Sequence, residues 1–396
     1  MKNIPLSSIL TALFCGLIIG YFRSDGSFNT SDLIAYKPAS ELFFAGKNPY
    51  DGDQMRAAES VYQTEKIEDP MMVWNPPTLF LLFGPYFSLD TKYLTLISPM
   101  LSVVSGMGLA LMGWYAATFC ASVRERRPAL NIQAYLLILV ISFFPIASEI
   151  RCLQFSTTLS LVIVLGFLFY FLRWDVISGV CLSFALIKPH ILFLPLILLG
   201  IWIVREKRFR IILGCLTAIA VSVFFSELYN PGIMEKWLFR EQWPTNYLGS
   251  STTSLTIRIM FMMGIGEWHR YALITPAVIL SAYLFWRGKR LLNRSMEELI
   301  WAFALSPFVT PYGFLFDQAM LILVAIYLFA ISTFTKGPLN PILYTLGILS
   351  LFVNLVHAYS NPAVSQLTWY IYPVAICAMM ISYARSQRGN VASHIQ

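Results

Sequence analysis

Charged residues are scarce in this chain. Only 12% of its 396 residues are Asp, Glu, Lys or Arg, whereas about a quarter is typical of a soluble domain. A soluble fold needs charge on its surface, but here 57% of the residues are hydrophobic and the mean hydropathy is +0.65. This composition excludes a cytosolic enzyme and a disordered chain.

Residues that form metal sites and disulfides are also few. The chain has four histidines, and none has the HExxH or paired spacing of a catalytic zinc site. Its six cysteines lie singly in apolar segments, without paired spacing: Cys15, Cys120, Cys152, Cys181, Cys215 and Cys377. We interpret them as packing residues rather than disulfide partners or metal ligands, which excludes a secreted disulfide scaffold.

The chain is rich instead in apolar blocks of about 17–25 residues, the length that crosses about 30 Å of hydrocarbon as a helix. These blocks do not alternate apolar and polar residues, which excludes an outer-membrane barrel. The expected crossings are 6–22, 92–122, 131–149, 156–172, 176–188, 190–204, 210–227, 270–286, 299–310, 313–333, 338–357 and 368–384. The sequence therefore predicts an all-α polytopic membrane protein of about twelve transmembrane helices (11–13).

Basic residues predict the orientation of these helices. Lys and Arg gather between apolar blocks, as is typical of cytoplasmic loops. The runs are Arg124, Arg126 and Arg127; Arg205, Lys207, Arg208 and Arg210; Arg287, Lys289, Arg290 and Arg294; Arg385 and Arg388. An even number of crossings keeps every run and both chain ends on the cytoplasmic side of a plasma (inner) membrane. The net charge of +7 thus reflects topology, and we see no pattern of basic residues that indicates nucleic-acid binding.

Residues 1–396 are interpreted as one integral membrane domain with two extracytoplasmic segments. The first, 23–75, directly follows the first helix, carries nine of the 21 acidic residues, and is expected to contain a membrane-surface helix ending near Gly46. The second, 229–269, is rich in Trp and Tyr, which suit the headgroup level, and reads as an interfacial lid. The stretch 76–90 is apolar but short and rich in proline, so we expect a re-entrant or half-spanning piece.

Several charged residues fall near the outer ends of crossings. Arg151 and Gln154 lie between two crossings that meet outside, and Lys188-Pro189-His190 forms another outward turn. A cation at membrane depth costs a few kcal/mol, so it is usually partnered or functional. For Arg151, snorkelling or an ion pair with Glu149 stays open. Asp317, inside an apolar span, is either a site residue or a helix–helix hydrogen-bond partner.

The first outer loop supplies further acidic candidates. Asp32 and Tyr36 share one face of the predicted helix, and the plain alternative for Asp32 is a charge favoured by the helix dipole. Asp51-Gly52-Asp53 resembles the metal-binding motif of nucleotide-sugar enzymes. Nucleotide sugars are cytosolic and this loop is expected outside, so we discount that motif.

Taken together, these residues resemble glycosyltransferase family 87, the polyprenyl-phosphate-hexose-dependent membrane transferases of the GT-C class. The matching patches are, in chain order, Asp32-x3-Tyr36, Gly46-x2-Pro49-Tyr50-Asp51, Trp74-Asn75-Pro76-Pro77 with Pro85, Gln154, Ile187-Lys188-Pro189, and Ser306-Pro307…Pro311-Tyr312…Asp317. The chain departs from the family pattern in three places. Cys152-Leu153 stands before Gln154 where Gly is usual, Pro38 interrupts the predicted membrane-surface helix, and Trp74 replaces Tyr.

The resemblance implies a GT-C-like bundle that transfers a hexose, mannose or a similar sugar, from a polyprenyl-phosphate donor to an acceptor hydroxyl outside the cytoplasm, with inversion. Asp32 would be the general base. Donor phosphate would be bound by Lys188, Arg151, His190 and Gln154. The substrate cavity would be lined by Tyr36, Tyr50, Asp51, Trp74, Asn75, Tyr312 and Asp317. The implied partners are the lipid-linked donor, a glycolipid or glycan acceptor and the bilayer; no cofactor is implied, and a divalent metal is left open.

Two other classes remain. A lipid-linked polysaccharide ligase or polymerase shares such donors, but more often places its large polar loop late in the chain. A lipid or solute transporter would usually show related halves and helices broken near mid-bilayer, and we see no such halves in the sequence. The discriminating observation is whether Asp32, Lys188 and Arg151 line one outward cavity.

Overall fold

The structure, a computed structural model, describes residues 11–16, 18–19, 33–62, 70–121, 130–240, 263–264, 274–292, 295–310, 315–334 and 371–393. Within these ranges the regular elements are all helices, so the all-α prediction is confirmed. The predicted crossing at 338–357 lies outside the described residues, as does most of the predicted crossing at 6–22.

Fifteen helices and two short 3₁₀ segments make up the described fold. The first eight helices are α1 (Leu33–Phe44), α2 (Gly52–Glu59), α3 (Thr78–Phe87), α4 (Thr91–Cys120), α5 (Leu130–Ser142), α6 (Phe144–Cys152), α7 (Ser156–Phe171) and α8 (Asp175–Ser183). The remaining seven are α9 (Phe193–Arg205), α10 (Phe209–Tyr229), α11 (Ile233–Leu238), α12 (Ile274–Leu291), α13 (Met296–Val309), α14 (Leu321–Phe334) and α15 (Ile371–Ser393). The 3₁₀ segments are Phe184–Leu186 and Leu315–Gln318.

Apolar helices give the protein its membrane character. Among the described residues, α4 and α10 are long and apolar enough to cross a bilayer singly, and α5 with α6 forms a third candidate that bends by 56° between its two helices. Shorter apolar helices, α3, α7, α8, α9, α14 and α15 among them, accompany these. The count of about twelve crossings stays a prediction. Helix α3 has ten residues and spans about 15 Å, so its half-spanning interpretation also stays a prediction.

Helix α1 packs against α3 in the first loop. It ends at Phe44, and Gly46 takes a φ of +71°, a left-handed conformation that favours glycine after a helix. Pro38 lies inside α1 without ending it, so the expectation that it interrupts this helix was wrong. The Lys37 ammonium donates to the carbonyls of Phe87 (3.3 Å) and Leu89 (2.9 Å), where a cation complements the helix C-terminus. This anchor and the buried neighbours of Pro38 hold both halves of α1 in place.

The core centres on α14, whose side chains from Leu321 to Ser332 are all buried. Helix α4 reaches its backbone at Gly113, where an added Cβ would lie 2.3 Å from the Leu323 carbonyl oxygen. Small residues allow such close approach between membrane helices, where van der Waals contact drives association. The core thus depends on backbone contact as well as on side-chain packing.

Helices α8 and α10 make a second close contact. A Cβ at Gly179 would lie 2.1 Å from the Ile211 carbonyl oxygen, and one at Gly214 would lie 2.5 Å from that of Val176. The opposite side of α10 is exposed and apolar, with Phe224 62% accessible. Since α10 is a candidate membrane span and its side chains are mostly exposed, we place it on the lipid-facing side of the bundle.

Four consecutive helices, α7 to α10, run between two chemically different ends of the bundle. At the basic end, which we define by Arg173 and the 205–210 segment, Arg208 pairs with Asp175 and its guanidinium carbon lies 4.1 Å from the centre of the Tyr170 ring. At the turn end, defined by residues 153–156 and 187–192, α7 and α9 begin. Asn230, after α10, donates to the Lys47 carbonyl (2.6 Å), which places the α1–α2 loop at the turn end as well.

Candidate active site

A buried ionic cluster lies at the turn end. The Lys188 ammonium donates to Gln154 Oε1 (3.0 Å), Ser156 Oγ (2.8 Å) and Asp317 Oδ1 (3.2 Å). His190 Nε2 lies 3.0 Å from the other oxygen of Asp317, and the Ser156 hydroxyl donates to Asp317 Oδ1 at 2.7 Å. We call these five residues the Lys188 centre. Four of the predicted site residues, Lys188, His190, Gln154 and Asp317, are therefore in direct contact.

Breaks in three apolar segments present these side chains. Between α6 and α7, Leu153 adopts a left-handed φ of 54°, and the Gln154 N–H donates to the Glu149 carbonyl at 3.1 Å. This cap ends α6 and turns the chain so that Ser156 begins α7. Lys188 and His190 follow the 3₁₀ segment Phe184–Leu186, and Asp317 lies in the second 3₁₀ segment. The polar groups of the centre therefore come from helix ends, where the chain leaves regular geometry.

The electrostatics of the centre follow from burial. Lys188 and Asp317 are each about 5% accessible, so neither charge can be hydrated as in water. The Asp317 carboxylate accepts from Lys188 and Ser156, and since a carboxylate is an acceptor, the His190 Nε2 facing it carries a proton. The Lys188 ammonium also lies 5.2 Å from the centre of the Phe155 ring, a cation–π contact. Asp317 thus orients both cationic candidates at once.

Aromatic rings connect α1 to the centre. Tyr36 is buried and stacks on Phe87 at a centroid distance of 5.3 Å, and it meets the edge of Phe155, also at 5.3 Å. One ring therefore separates the first turns of α1 from Lys188. Asp32, the residue before Leu33 in sequence, lies outside the described residues, and so does Tyr312.

Asn75 joins the first loop to the same turn. Its side-chain amide donates to the Ile187 carbonyl at 2.8 Å, and the Tyr50 hydroxyl donates to the Asn75 carbonyl at 2.9 Å. Burial raises the pKa of Tyr50 well above its usual range, although the positive charge of Arg240 opposes this, so the hydroxyl stays a neutral donor. The Trp237 indole donates to the Trp74 carbonyl at 3.1 Å, which brings α11 to the same segment.

Asp51 and Arg151 are the remaining described site candidates. Asp51 caps α2, accepting from the Gln54 N–H at 2.9 Å, and Arg151 is exposed in the last turn of α6. The Glu149 carboxylate accepts hydrogen bonds from Ser102 and Thr157, and its ion pair with Arg151 stays an open alternative. The roles of Asp51 in a cavity and of Arg151 at a phosphate stay predictions.

Sequence reasoning missed Ser156 and Phe155. Serine is common at helix starts, so nothing marked Ser156 apart from its place two residues after Gln154. The six cysteines are free thiols; five are partly buried, whereas Cys120 is exposed and does not fit the expected role of a packing residue. In the described part of the chain, no three His, Cys, Asp or Glu side chains come together as possible metal ligands.

A comparison with protein families gives a match over the part of the chain that holds most of this site. Residues 74–315 match the sequence model of Glycosyltransferase family 87. No curated protein and no solved structure matches the chain. The matched region covers more than half of the chain and includes both turns of the Lys188 centre, while Asp317 lies just beyond its end. The chain therefore belongs to glycosyltransferase family 87, and it is a membrane glycosyltransferase that acts on a sugar donor and an acceptor.

Proposed function

We propose that this enzyme transfers a hexose, with mannose as the specific expectation, from a polyprenyl-phosphate donor to an acceptor hydroxyl on the extracytoplasmic side of the plasma membrane. The acceptor is a glycolipid or a glycan. The observation that carries this proposal is the Lys188 centre: a buried ammonium and a histidine share one carboxylate at the turn end of the bundle.

The centre suits a leaving phosphate. A polyprenyl-phosphate-sugar carries one negative charge, and the polyprenyl phosphate that leaves gains a second. Lys188, with His190 beside it, faces this added charge in a site of low dielectric, where a preorganised cation stabilises charge more than it would in water. Asp317 holds both groups in place before the donor arrives. All three N–H groups of Lys188 already have acceptors, so a phosphate oxygen would replace or share one of them.

The two ends of the bundle support the proposed sidedness. The basic end carries Arg173 and the 205–210 segment, and cationic segments of this kind are retained in the cytoplasm. Helices α7 and α9 run from the turn end to that basic end. With the basic end inside, the Lys188 centre lies towards the opposite, extracytoplasmic side, where lipid-linked sugars rather than nucleotide sugars are the donors.

The proposed step needs one base. The acceptor oxygen attacks the anomeric carbon as the bond from that carbon to the phosphate oxygen breaks, with inversion. The electron pair of the broken bond stays on the polyprenyl phosphate, and the acceptor proton passes to the Asp32 carboxylate. General base catalysis of this type contributes about 10²–10⁴-fold. Support for Asp32 comes from its place four residues before Tyr36, whose ring contacts Phe155 beside Lys188.

The test is a transfer assay in membranes with labelled polyprenyl-phosphate-mannose. We expect Asp32→Asn to lower the rate by about 10²-fold or more at saturating donor. Asp53→Asn is the matched control, because Asp53 is an exposed acid of the same loop that bonds to Arg56. Lys188→Ala should weaken donor use most. Near wild-type transfer by Asp32→Asn removes it as the base, and transfer without any lipid-linked donor overturns the proposal.

A further inference from the structure

A second buried carboxylate lies next to the Lys188 centre without belonging to it. Glu149, in α6, has no accessible surface. Its Oε1 accepts from the Ser102 hydroxyl of α4 at 2.9 Å, and its Oε2 accepts from the Thr157 N–H of α7 at 2.7 Å and from the Thr157 hydroxyl. Three donors from two other helices thus converge on one side chain.

Burial of a carboxylate is costly unless hydrogen bonds compensate it. Here the compensation also shapes the backbone. The side chain of Glu149 binds the start of α7 at Thr157, and its carbonyl accepts from the Gln154 N–H at 3.1 Å. Glu149 therefore clamps both sides of the turn that contains Leu153, whose left-handed φ of 54° is unfavourable for a leucine.

The clamped turn carries two of the groups that bind Lys188. Gln154 Oε1 and Ser156 Oγ accept from its ammonium at 3.0 and 2.8 Å. Gln154 is one of the two points that Glu149 holds and Ser156 lies between them, so a shift of the turn would move both acceptors together. The position of the Lys188 ammonium thus depends on Glu149, which is not one of its hydrogen-bond acceptors.

We infer that Glu149 is a positioning residue for donor binding: it fixes the 153–157 turn, and through Gln154 and Ser156 it fixes Lys188. This inference rests on the proposed role of Lys188 at the donor phosphate. The positioning function requires the hydrogen bonds of Glu149 and not its charge. A glutamine can still accept from Thr157 with its amide oxygen and can donate to Ser102 with its amide nitrogen.

The experiment compares Glu149→Ala and Glu149→Gln in the membrane transfer assay, with polyprenyl-phosphate-mannose varied at saturating acceptor. We expect Glu149→Ala to raise the KM for this donor about tenfold or more, with a smaller change in kcat. Glu149→Gln should stay within about threefold of wild type in both constants. A Glu149→Gln variant as impaired as Glu149→Ala overturns the inference, because the charge would then be what matters.

A double-mutant cycle separates positioning from general damage to the fold. If Glu149 acts through the turn, Glu149→Ala should add little to the donor KM in a background that carries both Gln154→Ala and Ser156→Ala, whereas independent effects multiply. Glu298→Ala is the matched control, since Glu298 is an equally buried glutamate whose carboxylate pairs with Arg287 (2.8 Å to the guanidinium Nε). It should lower thermal stability without a selective change in donor KM. If the effect of Glu149→Ala multiplies with that of the Gln154→Ala/Ser156→Ala pair, the inference is overturned.

Two further variants keep the outcome clear. If Glu149→Ala does not accumulate in the membrane, Ser102→Ala removes one donor to Glu149 and should raise the donor KM in the same direction, by about two- to threefold; an unchanged KM counts against the inference. If Lys188→Ala leaves the donor KM unchanged, the proposed function fails. If Lys188→Ala raises the donor KM and Glu149→Ala does not, only the positioning role fails.

Discussion

Lys188 and Asp317 form a buried ion pair at 3.2 Å although 129 residues separate them in the chain. The pair joins the turn before α9 to the 3₁₀ segment before α14. It therefore holds two distant parts of the bundle together as well as orienting a cation. Its contributions to stability and to activity can be separated by mutation.

The first prediction concerns this pair. Asp317→Ala leaves the Lys188 charge buried without its counter-ion, and we expect a loss of about 3–5 kcal/mol in stability. Replacement of both charges, in Lys188→Met/Asp317→Leu, should recover most of that stability yet show no transfer. Thermal unfolding in detergent and the transfer assay measure the two effects. An Asp317→Ala variant that unfolds at the wild-type temperature would contradict the ion pair.

A second prediction tests the orientation of the bundle. Cys120 is exposed at the end of α4, and the other five thiols are partly buried. It lies 18 residues, or about 27 Å, beyond Ser102, which contacts Glu149 next to the turn end, so Cys120 is far from the Lys188 centre along the bundle. In a variant that keeps only Cys120, we expect a membrane-impermeant maleimide to label inverted vesicles and not intact spheroplasts. An Asp53→Cys substitution, made in a cysteine-free background, should show the opposite pattern. Labelling of Cys120 from outside would place the Lys188 centre on the cytoplasmic side and contradict the proposed reaction.

A third prediction concerns the contact between α8 and α10. Gly179→Ala would place a methyl group 2.1 Å from the Ile211 carbonyl oxygen, so the two helices must move apart. We expect a loss of about 1–3 kcal/mol, seen as a lower unfolding temperature. Gly200→Ala is the matched control within α9, since nothing lies within 4 Å of its added Cβ. Equal unfolding temperatures for the two variants would show that the close approach is not needed.

The fourth prediction follows from Glu59 at the end of α2. Burial raises the pKa of Glu59 to about 7 from an ordinary value of 4.5. The hydrogen bond that its carboxylate accepts from the Met71 N–H opposes this shift. Between pH 4.5 and about 7, Glu59 is therefore protonated in the folded loop and ionised in the unfolded loop. The stability of the loop should be greatest below about pH 4.5 and should fall as the pH rises through about 7.

Hydrogen exchange of α2 peptides, corrected for intrinsic rates, measures this dependence. We expect Glu59→Gln to remove most of it, because an amide does not ionise. Asp53→Asn is the control, since Asp53 is exposed in the same helix. If hydrogen exchange of α2 in Glu59→Gln still depends on pH over this range, another group causes the effect.

Energetic cost made the main residues of the site predictable. Lys188, His190 and Asp317 were conspicuous because ionisable groups are expensive in apolar segments. Their pairing was not predictable, because it depends on how α7, α9 and the 3₁₀ segment before α14 pack. Ser156 gave no signal of its own, since a hydroxyl is cheap at a helix start.

Hydropathy predicted where apolar helices lie better than where they break. The expected crossing 131–149 is divided into α5 and α6, with Pro145 in the first turn of α6, where proline is tolerated. The expected crossing 176–188 ends as an α-helix at Ser183 and continues only as a 3₁₀ turn. The second break leads into the 187–192 part of the turn end, and apolar composition alone carries no information about either break.

The length of α7 and α9 bears on the lipid around the enzyme. With 16 and 13 residues they extend about 24 and 20 Å, both short of a hydrocarbon layer of about 30 Å. In the proposed orientation, with their basic ends at the inner headgroups, the Lys188 centre would lie below the outer headgroup plane. The proposed lipid-linked donor would then keep its isoprenoid chain in the acyl layer while its phosphate reaches the lysine. Turnover should accordingly vary with the acyl-chain length of the host membrane.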